Sequence, residues 1–462
     1  MPPLRFDNPR DAAVAVDRRL AGRGHVAYLA GGCVRDTLLG LSPKDYDVAT
    51  DATPEQVRPL FPGARLVGEA FGVVTVPTTV AGRRSFVEVA TFRMEWGYSD
   101  GRRPDRVQFT DAEHDARRRD FTVNGLFEDP LDERLDGPAA RGPDGPVGGR
   151  IIDFVGGVAD LRARVIRAIG DPHERFGEDY LRMLRAARFA ARLGFDIEPG
   201  TARAVRASAG KLGQISRERI GQELRAMLTG PAPARAAQLT QALKLDASTF
   251  NEDHREPALP TLTRVAASPP PAPHAGPSCP HEDPGSRSAP PTPAPPDPFP
   301  LALAAWLLDR HGPDLSRHGD HLAALRRWRR ALVLSNEESA AAAAALRRWA
   351  ALHDWNALAV APRKRLLAAP GFAEGWALFD ATCPDPARRA VLRAEVSQLQ
   401  HDGVAPEPFV TGDDLLALGH RPGPGFRLWL DAVYDAQLDG RVRSRAEALE
   451  LLAQNAPPPR RP

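Results

Sequence analysis

Residues Gly31–Asp51 read GGCVRDTLLGLSPKDYDVATD: two glycines, a spacer, and then Asp45 and Asp47 on either side of Tyr46. The preceding HVAYLAGG reads as a short buried strand ending in a glycine turn, VRDTLLG as a helix and DYDVAT as a second strand. Side chains at i and i+2 of a strand share a face, so Asp45 and Asp47 are expected side by side with Tyr46 pointing away. Two adjacent carboxylates repel unless a cation neutralises them. Hard oxygen donors favour Mg²⁺, which commonly joins one or two carboxylates to substrate phosphates, and paired ions can align an attacking hydroxyl with a leaving pyrophosphate. Gly31 and Gly32 let a backbone approach a phosphate chain without an intervening side chain.

Working outward, RLVGEAFGVVTVPT and RSFVEVATF alternate as strands do, and Glu88 in the latter is a candidate third carboxylate. A helix is expected near Pro9 to Arg23. Past Asp160 the period changes, and EDYLRMLRAARFAARLGF and SRERIGQELRAML space their apolar residues as helices do. The expected class is therefore an α+β head with a mixed sheet and helices, followed by all-α neck, body and tail domains. With 462 residues, roughly two to four domains are expected. We read a head over 1–150, a neck over 151–250, a disordered proline-rich insert over 251–298, a helical body over 299–403 and a helical tail over 404–462. The insert is dense in proline, with 15 of the chain's 46, and has too few large apolar side chains to order itself. In the tail, Thr411 and Asp414 are spaced as an N-cap pair.

Composition narrows the function classes. A net charge of only +2 excludes a general polycation, although nearly all basic residues are arginines, which suit forked phosphate contacts. Cys33, Cys279 and Cys383 are too scattered for a disulfide framework or a cysteine zinc site, which fits a reducing compartment. The charged N-terminus and the lack of a membrane-length apolar run point to a cytoplasmic protein with no membrane partner. His353 in LHDW is a lone HD pair without further ligands and is assigned no metal.

GGCVRDTLLG…KDYDVATDATP, EVATFR, RRRDFTVNGLF, IIDFVGGVADLRARVIRAIGDPHERFGEDYLRMLRAARFAARLGF and SRERIGQEL occur in one order between about Tyr28 and Leu228. That series resembles the bacterial class II CCA tRNA nucleotidyltransferases and their poly(A) polymerase relatives, within the DNA polymerase β superfamily. The resemblance implies a five-stranded-type nucleotidyltransferase head with Asp45 and Asp47 as metal ligands, assisted by Glu88. It implies addition of CMP and AMP to the tRNA 3′ end without a nucleic-acid template, from CTP and ATP, with Mg²⁺. Gly31, Gly32 and Arg35 would adjoin the nucleotide; Asp120 would accept from a ribose hydroxyl, with Arg118, Arg119 and Asn124 beside it.

In GEDYLRML, Asp179 and Arg182 are expected at i and i+3 on one helix face, an acceptor beside a forked donor. The carboxylate can accept from the exocyclic amine of cytosine or adenine, whereas guanine O6 or uracil O4 would turn an acceptor towards it. This resembles the family's EDxxR motif, in which protein serves as template, with Glu178 orienting Arg182. Tyr180 departs from the proline or small residue of many relatives. Arg185 belongs to the same site, and Arg162, Arg164, Arg167, Arg175, Arg188 and Arg192 make the neck basic enough to follow RNA phosphates. The segment RMEWGYSDGRRPDRVQFT, Arg93 to Thr110, resembles the flexible loop that helps one pocket change from C to A. A poly(A) polymerase, a CC-only or A-only enzyme, a non-catalytic RNA-binding protein and a small-molecule nucleotidyltransferase are the rival readings.

Overall fold

The computed structural model describes residues 4–67, 72–97, 106–132, 141–142, 145–146, 148–267 and 297–455. The chain forms two units, Met1–Glu256 and Pro257–Pro462.

The first unit opens with strand β1 (Leu4–Phe6) and helix α1 (Pro9–Ala21), which starts where Asn8 accepts from the amide of Asp11 at 2.9 Å. Ala12, Ala13, Val16 and Leu20 give α1 its buried stripe. Strand β2 (Ala27–Ala30), helix α2 (Gly32–Leu38), strand β3 (Asp47–Thr50), helix α3 (Pro54–Val57) and strands β4 (Arg65–Val67), β5 (Val73–Val80) and β6 (Arg83–Thr91) follow. Next come β7 (Arg93–Trp96), β8 (Arg106–Phe109), α4 (Ala112–Arg117), β9 (Leu126–Asp129), the short pair β10 (Arg141–Gly142) and β11 (Gly145–Pro146), and β12 (Arg150–Asp153). One eight-stranded mixed sheet runs β1-β5-β6-β3-β2-β9-β12 with β4 beside β5. It is larger than the five-stranded core expected, because β1, β4 and β12 extend it, and β12 carries the head past residue 150. Strand β3 runs parallel to β6 and antiparallel to β2, so the end of β2, the start of β3 and the middle of β6 meet at one place.

The rest of this unit is helical apart from a two-residue pair, β13 (Val165–Ile166) with β14 (Asp196–Ile197). It comprises α5 (Gly157–Ala163), α6 (Pro172–Glu178), α7 (Leu181–Leu193), α8 (Pro199–Ser208), α9 (Arg217–Leu228), α10 (Pro233–Ala242) and α11 (Asp246–Phe250). Helix α7 buries Leu181, Met183, Leu184, Ala187 and Ala190 on one side and sends Arg182, Arg185, Arg188 and Arg192 to the other. Gly194, at φ 66°, ends it with a left-handed turn.

Among the described residues the second unit has helices and no strand. It contains α12 (Pro260–Ala267), α13 (Pro298–His311), α14 (His318–Leu332), α15 (Asn336–His353), α16 (Val360–Ala368), α17 (Phe372–Thr382), α18 (Pro386–His401), α19 (Gly412–Ala417), α20 (Pro424–Leu438) and α21 (Arg445–Asn455). Its interior is built on Trp306, Trp328, Trp349 and Trp355, all fully buried. Thr411 and Asp414 form a capping box at α19, and Arg445 of α21 pairs with Asp414. Part of the insert expected over 251–298 is ordered helix. Residues 260–267 form α12, which buries Leu262 and Val265 and is held by Asp309, whose carboxylate accepts from the amides of Thr261 and Leu262 at 2.9 Å. Residues 268–296 lie outside the described residues. Among the described residues no helix is long and apolar enough to cross a membrane.

Candidate active site

Strand β2 ends at Ala30, which pairs with Asp47 across the ladder, and the chain then turns at Gly31 with φ 76°. A Cβ at Gly31 would stand 2.6 Å from the Arg119 guanidinium, so the turn and the close approach both demand glycine there. At Gly32 a Cβ would meet nothing nearer than 3.7 Å, so its bareness widens the cavity without relieving a clash.

The register Val48↔Val89 sets Asp47 beside Glu88, and the two carboxylates line a cavity of about 140 Å³ together with Gly31, Gly32 and Arg119. The expected pair was different. Strand β3 begins at Asp47, so Asp45 lies ahead of it on exposed, irregular chain, outside the cavity lining, and Tyr46 is half-buried. The carboxylate pair comes from two parallel strands rather than from i and i+2 of one. Desolvation by the surrounding protein, then the negative charge of Glu88, push the Asp47 carboxyl up to about 6 although the residue is itself exposed; Arg119 opposes them and Asp45 adds to them. This crowding of negative charge fits a divalent cation better than it fits the protein alone. Two carboxylates leave the remaining coordination positions to water and phosphate oxygens, which suits Mg²⁺. No group of three or more His, Cys, Asp or Glu with metal-holding geometry occurs among the described residues.

A larger cavity of about 570 Å³ adjoins this one through the shared residues Gly31, Gly32 and Arg119. Its lining contains Arg35, Arg118, Arg119, Arg182, Arg185, Arg188, Arg192 and Arg219 against two carboxylates, Asp120 and Asp179, and Asn124 lines it too. An excess of cations in one concave site is a field for a polyanion. Asp120 is buried and accepts from Arg185 Nε at 2.8 Å and Asn124 Nδ2 at 3.0 Å. Burial alone would raise its pKa, but Arg185, Asn124 and Arg182 outweigh that and hold it at about 2. Arg118 and Arg119 are both fastened to the buried Asp115, at 2.6 and 3.0 Å, and Arg118 also reaches Glu95 of β7 at 3.2 Å.

Asp179 is not on a helix. Helix α6 stops at Glu178, Asp179 is extended at φ −152°, and α7 starts at Leu181, so the pair expected at i and i+3 straddles a helix junction. Arg182 does not bind Asp179. Its Nη1 donates to Glu178 and to the Arg175 carbonyl at 3.1 Å, while Asp179 accepts two bonds from Arg219 of α9, at 3.1 and 2.6 Å, and one from the Leu181 amide at 3.0 Å. An ionised carboxylate offers about four acceptor positions, so Asp179 keeps one for a ligand. Arg219 is the functional residue that sequence reasoning missed: it lies in SRERIGQEL, 40 residues from its partner, and no local spacing announces the contact. Phe189 was missed as well; the guanidinium groups of Arg35, Arg185 and Arg188 lie 5.2, 5.2 and 4.3 Å from its ring centre.

The neck arginines are largely paired within the fold, although Arg162, Arg164, Arg167 and Arg192 stay exposed. Arg167 pairs with Asp160, Arg185 with Asp120, Arg188 with Glu223 and Arg192 with Asp36, while Arg175 donates to Glu178 and to three backbone carbonyls. Arg164 stacks on Phe195 at 5.3 Å, and Arg162 also has a partner. Tyr180 stands before α7 with the Lys211 ammonium 5.5 Å from its ring centre. Strands β7 and β8 form a hairpin base for the segment from Arg93 to Thr110; Asp100, Arg102, Arg103 and Asp105 lie outside the described residues. His353 packs between Trp349 and Phe379, at 5.3 and 4.9 Å.

Residues 27–167 match the model of the Poly A polymerase head domain, and residues 194–247 that of the probable RNA- and SrmB-binding site of polymerase A. The CCA-adding enzyme of Limosilactobacillus fermentum is 43% identical over 215 residues, 46% of this chain and 48% of that protein. That of Pediococcus pentosaceus is 38% identical over 265 residues, 57% of this chain and 60% of its own. The chain thus spans about half the length of the curated relatives it matches. The crystal structure of the Bacillus stearothermophilus CCA-adding enzyme in complex with CTP aligns over 97% of this chain and 98% of that one, with a TM-score of 0.68 and 28% identity.

Proposed function

We propose that this chain is a CCA-adding enzyme that adds CMP and AMP to the 3′ end of tRNA without a nucleic-acid template, a reading supported by its match to the Poly A polymerase head domain and its likeness to CCA-adding enzymes. The observation that carries the reading is the junction of two cavities, one with Asp47 and Glu88, the other with Asp179, Arg182 and an arginine wall.

The incoming CTP or ATP lies across both. Arg118 and Arg119, held rigid by Asp115, face its phosphates, with Gly31 and Gly32 allowing close approach, and Asp120 accepts from the ribose. Asp179 offers its remaining acceptor position to the exocyclic amine of cytosine or adenine, and Arg182, braced by Glu178, donates to a ring acceptor. UTP and GTP would set an acceptor against Asp179, which leaves a buried polar contact unmade. Asp47 and Glu88, with Asp45 close by, would hold a divalent cation, Mg²⁺ in our reading, which when bound would neutralise the triphosphate as the terminal ribose hydroxyl gives up its proton and attacks the α-phosphate, breaking the α–β anhydride bond and releasing pyrophosphate. The same reading makes the protein cytoplasmic, in keeping with Cys33 and Cys383 as buried free thiols.

One assay tests the whole. On tRNA transcripts lacking the terminal triplet, with CTP and ATP supplied, addition should stop at CCA, and Asp47→Ala should abolish it while RNA binding persists. A long adenosine ladder from ATP alone on unstructured RNA would move the assignment to the polymerase. Turnover of Asp47→Ala above about a tenth of wild type would defeat the metal site, since lost charge stabilisation of this kind costs several kcal/mol.

A further inference from the structure

Arg35 and Asp36 are consecutive on α2, and both are buried. Arg35 borders the larger cavity, where a guanidinium invites a phosphate. Three of its five N–H groups are engaged elsewhere. Nε donates to Asp36 Oδ1 at 2.7 Å, Nη2 stands 2.6 Å from the same oxygen, and Nη1 donates to Asn124 Oδ1 at 2.5 Å. The second oxygen of Asp36 accepts from Arg192 of α7 at 2.9 Å.

The contact to Asn124 has a chemical consequence, because a carboxamide has one acceptor end and one donor end. With Oδ1 turned to Arg35, Nδ2 is turned to Asp120 Oδ1, 3.0 Å away. The opposite orientation would set oxygen against the Asp120 carboxylate and N–H against the guanidinium. Arg35 therefore decides which way Asn124 faces, and Asp36 decides where Arg35 sits.

We propose that Asp36 is a positioning residue for ribose recognition, acting through Arg35 and Asn124 to hold Asp120 as an acceptor. The inference rests on Asp120 receiving a ribose hydroxyl. Arg35 serves in it as the lock on Asn124, and the triphosphate is left to other arginines. An Asp36→Asn change keeps the shape but removes the negative charge and turns an N–H towards one of two guanidinium groups, so the anchor of Arg35 is weakened.

The test measures kcat/KM for CTP and for dCTP on a tRNA transcript lacking the terminal triplet, with inhibition by pyrophosphate measured alongside, for the full chain and three variants. Asp36→Asn should lower the CTP-over-dCTP preference about tenfold, a change of about 1.4 kcal/mol, through a raised KM for CTP. Pyrophosphate inhibition should stay as in wild type. Arg35→Lys, which keeps the charge but cannot span Asp36 and Asn124 together, should fall between, and it carries the test if Asp36→Asn does not fold by its melting curve. Asp120→Asn separates the two layers. If it loses the preference while Asp36→Asn and Arg35→Lys keep it, the relay is wrong and the ribose role of Asp120 stands. If Asp120→Asn keeps the preference, the ribose reading fails and the relay with it. Weakened pyrophosphate inhibition in Arg35→Lys with unchanged preference would make Arg35 a phosphate ligand and overturn the proposal.

Discussion

Asp17, on the face of α1 turned to the sheet, should make the head less stable as pH rises. The side chain is fully buried, and neither carboxylate oxygen has a hydrogen-bond partner. Burial first, then the charge of Asp129, with Glu128 adding and Arg18 opposing, push its carboxyl up from 3.8 to about 8. The unfolded chain releases this proton near pH 4 and the folded chain keeps it to about pH 8, so between those values the native state binds more protons. Stability then falls with rising pH, by about 1.4 kcal/mol per pH unit for one group. From pH 5 to pH 7 the loss is about 2.7 kcal/mol, a sizeable part of the roughly 5–15 kcal/mol that holds a domain together. Asp17→Asn removes the titration and should remove this slope, leaving whatever pH dependence the other groups give. Because six of the seven tryptophans lie in the second unit, bulk fluorescence would report on the wrong part. Hydrogen exchange of the amides in β2 and β9, corrected for the intrinsic pH dependence of exchange, reads the head directly. A protection free energy that changes by the same amount from pH 5 to pH 7 in both proteins would refute the assignment of a buried, protonated Asp17.

Arg219→Ala should erode the preference for CTP and ATP over UTP and GTP much as Asp179→Ala does, because it leaves Asp179 without its two-pronged partner; an unchanged ranking of the four nucleotides in single-nucleotide incorporation would count against it. Deleting residues 255–295 removes α12 and with it the buried Leu262 and Val265, so the second unit should melt well below wild type by calorimetry, at a cost of several kcal/mol; an unaltered melt would show that α12 contributes nothing. In the same unit, burial, then Arg388, lower the His353 pKa to about 4, against which Asp354 acts weakly, and burial lowers His318 and His321 also. Their neutral forms stabilise the fold above about pH 6.5, and that stability is lost as pH falls towards 4, so His353→Leu should flatten the acid limb of tryptophan-detected urea unfolding.

The sequence by itself determined the elements around the site. Alternation in VVTVPTTV and RSFVEVATF, the glycine after AYLA, and the three-to-four spacing of RMLRAARFAARL each follow from backbone periodicity and sterics, which are local. The order of motifs likewise brought Asp120, Asn124, Asp179, Arg182 and Arg185 into view before any coordinates, and all of them line one cavity. Only the tertiary structure decided who faces whom. Asp45 and Asp47 looked like the pair because they are two residues apart, yet the strand starts two residues too late to hold Asp45, and the parallel register of β3 with β6 sets Glu88, the third carboxylate expected, beside Asp47. Asp179 and Arg182 were expected on one helix face, but a break between α6 and α7 lies between them; both still line the cavity, Glu178 holds Arg182 as expected, and Arg219 arrives from α9 to hold Asp179. The arginines of the neck read as unpaired cations until their acids, Asp36, Asp120, Asp160 and Glu223, came in from elsewhere in the chain. Local spacing sets which way a side chain leaves its own element; the charge it meets is set by sheet register and helix packing, which couple residues far apart in the chain and leave no periodic trace in it.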